Sequence, residues 1–154
     1  MAMKPFCGYN YGDYFAHWLS FDRPGMKLPQ MFHVNWFRKG ADGKFLWPGF
    51  GENLRVLEWI IGRCTGAAGA QDTPIGLLPR ASDLHSEGLA LREGALDELL
   101  AVDLDGWASE VSDIGQYLDS FGTHTPARLH AERERIAAAI ERARGALPHA
   151  KVAS

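Results

Sequence analysis

The segment 32–53 constrains the fold more than any other part of the chain, because it crowds phenylalanine and tryptophan among several glycines. Between residues 31 and 38, apolar and polar side chains alternate, which is the period of a strand that is buried on one side. Residues 39–43 have the composition of a hairpin loop with a bulge. We therefore predict that residues 44–47 fold back beside the first strand and bring Phe45 close to Phe37, the phenylalanine on the polar face of that strand.

A third ring, Phe50, lies between Gly49 and Gly51 after a proline-glycine turn, where the backbone can approach a ligand closely. Asn53 then precedes residues 54–64, whose apolar side chains recur at helical spacing, so Asn53 is predicted to be the N-cap of a helix. The unpaired N–H groups at a helix start are outward-pointing donors. Three rings beside such donors predict a slot for a planar base, with stacking of about 1–3 kcal/mol per ring.

Guanine suits the polar end of this slot better than adenine does. Its O6 accepts a hydrogen bond of the kind that a helix N–H group supplies, and its N1 and N2 hydrogens need an acceptor such as a carbonyl or a carboxylate. Adenine presents the reverse pattern on that edge. A second interpretation stays open on the residues alone: the three phenylalanines belong to a small core, and Asn53 only caps its helix.

The rest of the chain predicts helices around a small sheet. Residues 10–20 form a short aromatic helix, and residues 73–79 are too rich in proline for a central strand, so they are an extended edge segment. Residues 94–102 and 104–121 and the segment from residue 125 are helical, and the last two carry apolar stripes that favour packing on their own domain. The predicted fold class is α+β: a small sheet with a hairpin, covered by helices and ending in a helical pair.

Composition and charge exclude several classes of partner. The formal net charge is −3 and there is no basic run, which argues against nucleic acid. No stretch approaches the roughly 20 apolar residues that span a bilayer, and no signal-peptide pattern is present, so we predict a soluble, cytoplasmic protein without a membrane partner. Cys7 and Cys64 have neither metal-ligand nor disulfide-framework spacing and are predicted to be buried thiols in a reducing compartment.

These segments resemble, in order along the chain, the carboxy-terminal part of GTP-dependent phosphoenolpyruvate carboxykinase. The resemblance rests on residues 3–19, 32–38 and 73–76, and above all on Phe-Leu-Trp-Pro-Gly-Phe-Gly-Glu-Asn at residues 45–53. The resemblance is dense as far as residue 61. Beyond about residue 79 it becomes loose, and only the order and spacing of the helices are similar. The resemblance implies that this α+β fold is part of a larger α/β enzyme domain.

The resemblance implies where guanine binds. In the family, three phenylalanines and the residues after the third of them hold the base. The matching positions in this chain are Phe37, Phe45, Phe50, Gly51, Glu52 and Asn53. Two of the rings are expected to sandwich the base and Phe45 to close its edge. Residues 1–79 are then the guanine-nucleotide-binding part of the carboxykinase C-terminal domain, and residues 80–154 are the helical part of the same domain.

The resemblance also implies an activity, the gluconeogenic conversion of oxaloacetate and GTP into phosphoenolpyruvate, GDP and carbon dioxide with Mn²⁺ or Mg²⁺, in an enzyme expected to be a monomer. The family's phosphate loop, metal ligands and oxaloacetate-binding arginines precede the matched segment. A phosphate-loop pattern is missing from this chain, because Gly43-Lys44 is followed by Phe45 instead of Ser or Thr. We therefore expect no catalytic residue and no metal ligand in this chain, which needs the missing upstream part of the enzyme. Two other interpretations stay open: a non-catalytic purine-nucleotide-binding module, and an inert structural fragment.

Overall fold

A computed structural model describes residues 6–146 of the protein, which form two compact units. The first unit joins residues 6–29 to residues 103–146, and the second consists of residues 30–102. The α+β fold class is confirmed, since helices accompany a small antiparallel sheet. The functional division predicted between residues 79 and 80 stays a prediction, and its outer ends, residues 1–5 and 147–154, lie outside the described residues.

The helices and strands are distributed unequally between the two units. In chain order they are α1 (Tyr11–Leu19), α2 (Asn53–Thr65), β1 (Gln71–Thr73), β2 (Gly76–Leu78), α3 (Ala95–Leu100), α4 (Leu104–Asp119) and α5 (Ala127–Ala146). The first unit contains α1, α4 and α5, and the second contains the remaining elements. The candidate site residues all belong to the second unit.

The first unit is built on the helical pair α4 and α5, which pack against each other as predicted. Asp103 caps α4, because its side chain accepts a hydrogen bond from the N–H of Gly106 at 3.0 Å. Ile140 of α5 is fully buried. The outer face of α5 is charged, and the ion pair with Arg135 lowers the pKa of the exposed Glu132 carboxyl. Within residues 6–146, no helix has both the length and the apolar character needed to cross a membrane.

α1 completes the first unit through contacts that are distant in sequence. Asn10 accepts the N–H of Gly12 at 2.8 Å and donates from Nδ2 to the carbonyl of Phe121 at 3.3 Å. The rings of Tyr11 and Phe15 contact the ring of Phe121, with centroids 5.9 and 6.0 Å apart. These contacts show that α1 packs with the segment that joins α4 and α5.

In the second unit, β1 and β2 form the antiparallel hairpin of the sheet, with Gln71 opposite Leu78 and Thr73 opposite Gly76. The sequence predicted a hairpin at residues 31–47 and interpreted residues 73–79 as an extended edge segment. That segment does contain an edge strand, β2, but its pairing with β1 across a tight turn was not predicted. Gly76 has a positive φ of 123°, which lets the chain reverse within two residues of the proline and so makes a proline-containing segment into a hairpin.

Residues 31–38 do not form a strand, although the predicted alternation of exposed and half-buried side chains is present. Every second side chain from Phe32 to Arg38 is half-buried and the intervening ones are exposed, as the alternation indicates. The described residues provide no neighbouring strand, and the return is limited to one bridge between Lys39 and Phe45 and one hydrogen bond from the N–H of Leu46 to the carbonyl of Arg38 at 2.9 Å. The burial pattern is therefore present without the ladder that defines a strand.

α2 buries one apolar face and exposes another. Trp59 points inward, where its ring lies 5.9 Å from that of Phe32 and its N–H donates to the carbonyl of Gly69 at 3.1 Å. The face that carries Leu57, Ile61 and Cys64 is exposed. The predicted burial of both thiols is therefore wrong, since Cys64 is exposed and Cys7 is only half-buried.

Candidate functional site

The loop at residues 37–45 brings two of the predicted rings together. The N–H of Gly43 donates to the carbonyl of Gly40 and the N–H of Gly40 donates to that of Lys44, each at 2.9 Å, so the chain reverses tightly. The centroids of Phe37 and Phe45 are then 5.9 Å apart, with the rings inclined at 65°. This is the edge-to-face arrangement that aromatic pairs prefer.

These rings do not belong to a core. Phe37, Phe45 and Phe50 are 71%, 57% and 90% exposed, whereas the neighbouring Leu46 and Trp47 are buried. Large apolar groups left in water are costly, and a cluster of them on a surface marks a binding site more often than a packing accident. The small-core interpretation of the three phenylalanines is therefore wrong.

A positive charge lies beside this pair of rings. The ammonium group of Lys39 is 5.4 Å from the centroid of the Phe45 ring, within the range of a cation–π interaction. The contact orders Phe45 and places a cation next to the exposed aromatic surface.

Phe50 is presented separately from the other two rings. It opens the 3₁₀ turn Phe50–Glu52, which follows Gly49 at a φ of 128°, a conformation that side-chain-bearing residues rarely adopt. Among the described residues, Phe50 makes no ring contact, so the structure does not stack it on the Phe37–Phe45 pair. Gly51 is exposed, and a Cβ atom built on it meets nothing within 4 Å. The whole turn is therefore open to a ligand.

Asn53 does not cap α2, contrary to the prediction. The helix begins at Asn53 itself, Glu52 occupies the N-cap position, and no side-chain cap bond forms. The Asn53 side-chain oxygen instead accepts a hydrogen bond from the indole N–H of Trp47 at 2.9 Å. Because that oxygen is engaged, it does not reach the first N–H groups of the helix, which remain outside any side-chain cap.

Arg55, which the sequence analysis passed over, holds Glu52 in place. Its Nε lies 2.6 Å from the Glu52 carboxylate, and its guanidinium also donates to the carbonyls of His85 and Glu87 at 2.7 and 2.9 Å. Glu52 and Arg55 are three residues apart at a helix start, a spacing from which their ion pair could have been predicted. Glu52 therefore anchors the turn to a neighbouring loop, and one of its oxygens is committed to Arg55.

Trp47 is the second residue that sequence reasoning missed. It is buried, its ring centroid is 6.0 Å from that of Trp36, and it makes the bond to Asn53. Trp36 precedes Phe37, and Trp47 follows Phe45 by two residues, so a buried aromatic pair accompanies the exposed one on the same two segments. Trp47 thereby connects the exposed rings to the start of α2.

The described residues offer no metal centre. Across residues 6–146, no group of three or more His, Cys, Asp or Glu side chains is arranged to hold an ion. The donor set of this part of the chain therefore does not fit a catalytic cation.

Comparison with known proteins gives consistent matches. A family model described as the phosphoenolpyruvate carboxykinase C-terminal P-loop domain matches residues 1–139. The chain is 55% identical over 136 residues to phosphoenolpyruvate carboxykinase (GTP) of Chlamydia trachomatis serovar D, which is 88% of this chain and 23% of that protein. It is 45% identical over 148 residues to the protein of the same name from Treponema pallidum strain Nichols, 94% of this chain and 24% of the relative. The chain thus spans about a quarter of the length of these relatives.

Proposed function

Because the chain belongs to the GTP-dependent phosphoenolpyruvate carboxykinase family, we propose that it supplies the guanine-binding part of such an enzyme's C-terminal domain. The complete enzyme converts oxaloacetate and GTP into phosphoenolpyruvate, GDP and carbon dioxide in the cytoplasm, as a step of gluconeogenesis, with Mn²⁺ or Mg²⁺. The phosphate loop and the metal ligands then belong to the part of the enzyme that this chain does not match, which is about three quarters of the relatives' length. The residues of the candidate site bind and orient the nucleotide, and none of them acts on the reacting atoms.

The contact between the exposed rings of Phe37 and Phe45, together with the exposure of Phe50, is the observation that carries this proposal. Phe37 and Phe50 offer ring faces to the two sides of a base, and Phe45 bounds its edge. Each stacked ring contributes about 1–3 kcal/mol. Lys39, beside Phe45, adds an attraction for the triphosphate.

The polar end of the site favours a purine that carries a carbonyl group. The N–H groups at the start of α2 have no side-chain cap, and although that of Asn53 donates to the carbonyl of Phe50, the ones that follow it are donors that suit the O6 of guanine. The carbonyl groups of the open turn Phe50–Glu52 are acceptors that suit its N1 and N2 hydrogens. Adenine offers an amino group where guanine has O6, so ATP leaves these donors without a partner.

A direct test measures nucleotide binding and activity separately. The chain is titrated with GTP and ATP by calorimetry, and it is also combined with the remaining three quarters of the Chlamydia trachomatis relative to assay GTP-dependent decarboxylation of oxaloacetate. We expect GTP to bind in preference to ATP and the combination to restore activity. GTP binding without activity in the combination would indicate a non-catalytic module, and absence of binding in both samples would contradict the proposed site.

The exposed face of α2 supports the proposal that the rest of the enzyme is the partner of this chain. Leu54, Leu57, Ile61 and Cys64 are all exposed and follow one another at intervals of three or four residues. This spacing forms one apolar stripe along the helix. The stripe is about three turns long, too short for a stable interface with a second copy of the helix alone. The stripe begins at Leu54, four residues after Phe50. A part of the enzyme that covers the stripe would therefore also lie close to the guanine base that stacks on Phe50.

Ile61→Glu is expected to prevent this association. Ile61 is exposed, so the chain keeps its fold, but a carboxylate in a buried apolar contact costs several kcal/mol. Activity of the combined sample should fall at least tenfold, and the thiol of Cys64 should lose its protection from alkylation in a Cys7→Ser background. Leu77→Glu, an exposed leucine on β2, is the matched control and should change neither quantity. An Ile61→Glu chain that combines normally contradicts the assignment of the stripe.

A further inference from the structure

We propose that Trp47 is a positioning residue that sets the base specificity of the site by fixing which end of the Asn53 amide faces the nucleotide. The inference rests on the proposed guanine site and names the group within it that reads the 6-position of the purine. It requires three facts: the direction of the Trp47–Asn53 hydrogen bond, the rigidity of Trp47, and the exposure of the other end of the amide.

The direction of the bond follows from chemistry. An asparagine amide has an accepting oxygen and a donating nitrogen, and the two can exchange by rotation of the group. The indole nitrogen of tryptophan can only donate. The contact of 2.9 Å between Trp47 Nε1 and Asn53 therefore requires the oxygen at that end, and the opposite orientation would set two donors against each other.

Trp47 can enforce this orientation because it is held in place. Its side chain is 7% exposed, its ring lies 6.0 Å from that of Trp36, and the adjacent Leu46 is also buried. Rotation of a buried indole away from Asn53 would open a void and leave its N–H without an acceptor, and both effects are unfavourable. The amide therefore has one preferred orientation before any ligand arrives.

The other end of the amide is available to a ligand. Asn53 Nδ2 makes no hydrogen bond to any residue between 6 and 146, and none of the buried side-chain nitrogens described lacks a partner, so this nitrogen reaches solvent. Its two hydrogens lie at the start of α2, immediately after the Phe50–Glu52 turn. A fixed pair of donors there selects a 6-oxopurine nucleotide, of guanosine or inosine, and rejects the 6-amino group of adenosine. A freely rotating amide would accept from the adenine amino group as readily as it donates to O6.

Trp47→Phe keeps an aromatic ring but removes the indole N–H together with the pyrrole part of the ring, so it frees the amide to rotate. The dissociation constants of GTP, ITP and ATP are measured by calorimetry on the full chain. We expect the preference for GTP and ITP over ATP to fall about tenfold, the value of one hydrogen bond of roughly 1.4 kcal/mol. If the role of Trp47 were purely structural, Trp47→Phe would weaken the binding of all three nucleotides alike and leave the ratios of their dissociation constants unchanged.

Asn53→Asp provides the second variant and does not depend on how well Trp47→Phe folds. A carboxylate keeps an acceptor for Trp47, is favourable in the first turn of a helix, and turns an acceptor outward in place of the two donors. The preference should shift toward ATP. Because the two carboxylate oxygens are equivalent, adding Trp47→Phe in the Asn53→Asp background should not change the nucleotide ratios further.

The outcomes separate this inference from the function on which it rests. If the unmodified chain prefers GTP and Trp47→Phe leaves the ratios unchanged, the positioning role is wrong and the guanine site stands. If Trp47→Phe changes the ratios equally in the Asn53 and Asn53→Asp backgrounds, Trp47 acts by another route and the inference is also wrong. If the unmodified chain binds none of the nucleotides, the guanine site itself fails.

Discussion

Phe50→Ala is expected to weaken GTP binding by about 1–3 kcal/mol, or roughly 5- to 150-fold in the dissociation constant. Phe50 is 90% exposed, so the change removes almost no packing from the free protein. The lost affinity therefore reports the contact between ring and base. Calorimetric titration of the full chain measures it, and unfolding by urea should show a stability within about 0.5 kcal/mol of the unmodified chain.

The matched control for this change is Phe6→Ala. Phe6 is 87% exposed, loses the same ring, and belongs to the other compact unit. GTP affinity should be unaffected by it. Equal affinities for Phe50→Ala and Phe6→Ala would show that Phe50 does not touch the base, and the sandwich of Phe37 and Phe50 would have to be abandoned.

Ile140→Ala is expected to lower the free energy of unfolding by about 2–5 kcal/mol, the range observed when a large buried aliphatic side chain is truncated. Ile140 is 0% exposed and belongs to α5, the helix that packs against α4, so truncation of its side chain leaves a cavity in the core. A loss of this size is a large part of the roughly 5–15 kcal/mol that typically stabilises a domain. Urea unfolding followed by far-ultraviolet circular dichroism measures it.

Ile114→Ala is the control for the size of this effect. Ile114 belongs to the apolar stripe that the sequence predicts for α4, but its side chain is 37% exposed. The same chemical change there should cost clearly less, about 1 kcal/mol, because less apolar surface was removed from water. Equal losses at the two positions would mean that the helices do not pack through Ile140 as the structure shows.

The sequence predicted helices well because their signal is local. The apolar stripes predicted for α4 and α5 repeat every three to four residues, and both helices form and pack against each other. The loop at residues 39–43 was likewise predicted from its glycines, and Phe37 and Phe45 meet as the predicted chain reversal requires. In each case the information lies close in sequence to the feature.

The failures all concern contacts with something that the local pattern does not contain. Residues 31–38 have the alternation of a strand, but a strand also needs a neighbour, and the described residues provide none. α2 has apolar residues on two faces, and periodicity alone could not tell that Trp59 turns inward while Ile61 turns outward. Asn53 has the sequence position of a cap, yet a buried indole six residues away takes its oxygen.

The first unit is made from two pieces of chain that lie far apart in sequence, and this has a consequence for biosynthesis. The bonds from Asn10 to Phe121 and from Asp13 to His124 each span 111 positions. At the usual speed of a ribosome, on the order of ten seconds separate the emergence of the two pieces. α1 has nine residues, too few to hold a helix unaided in water. We therefore expect the second unit to be completed first, and α1 to be recruited only after residues 103–146 have emerged from the ribosome.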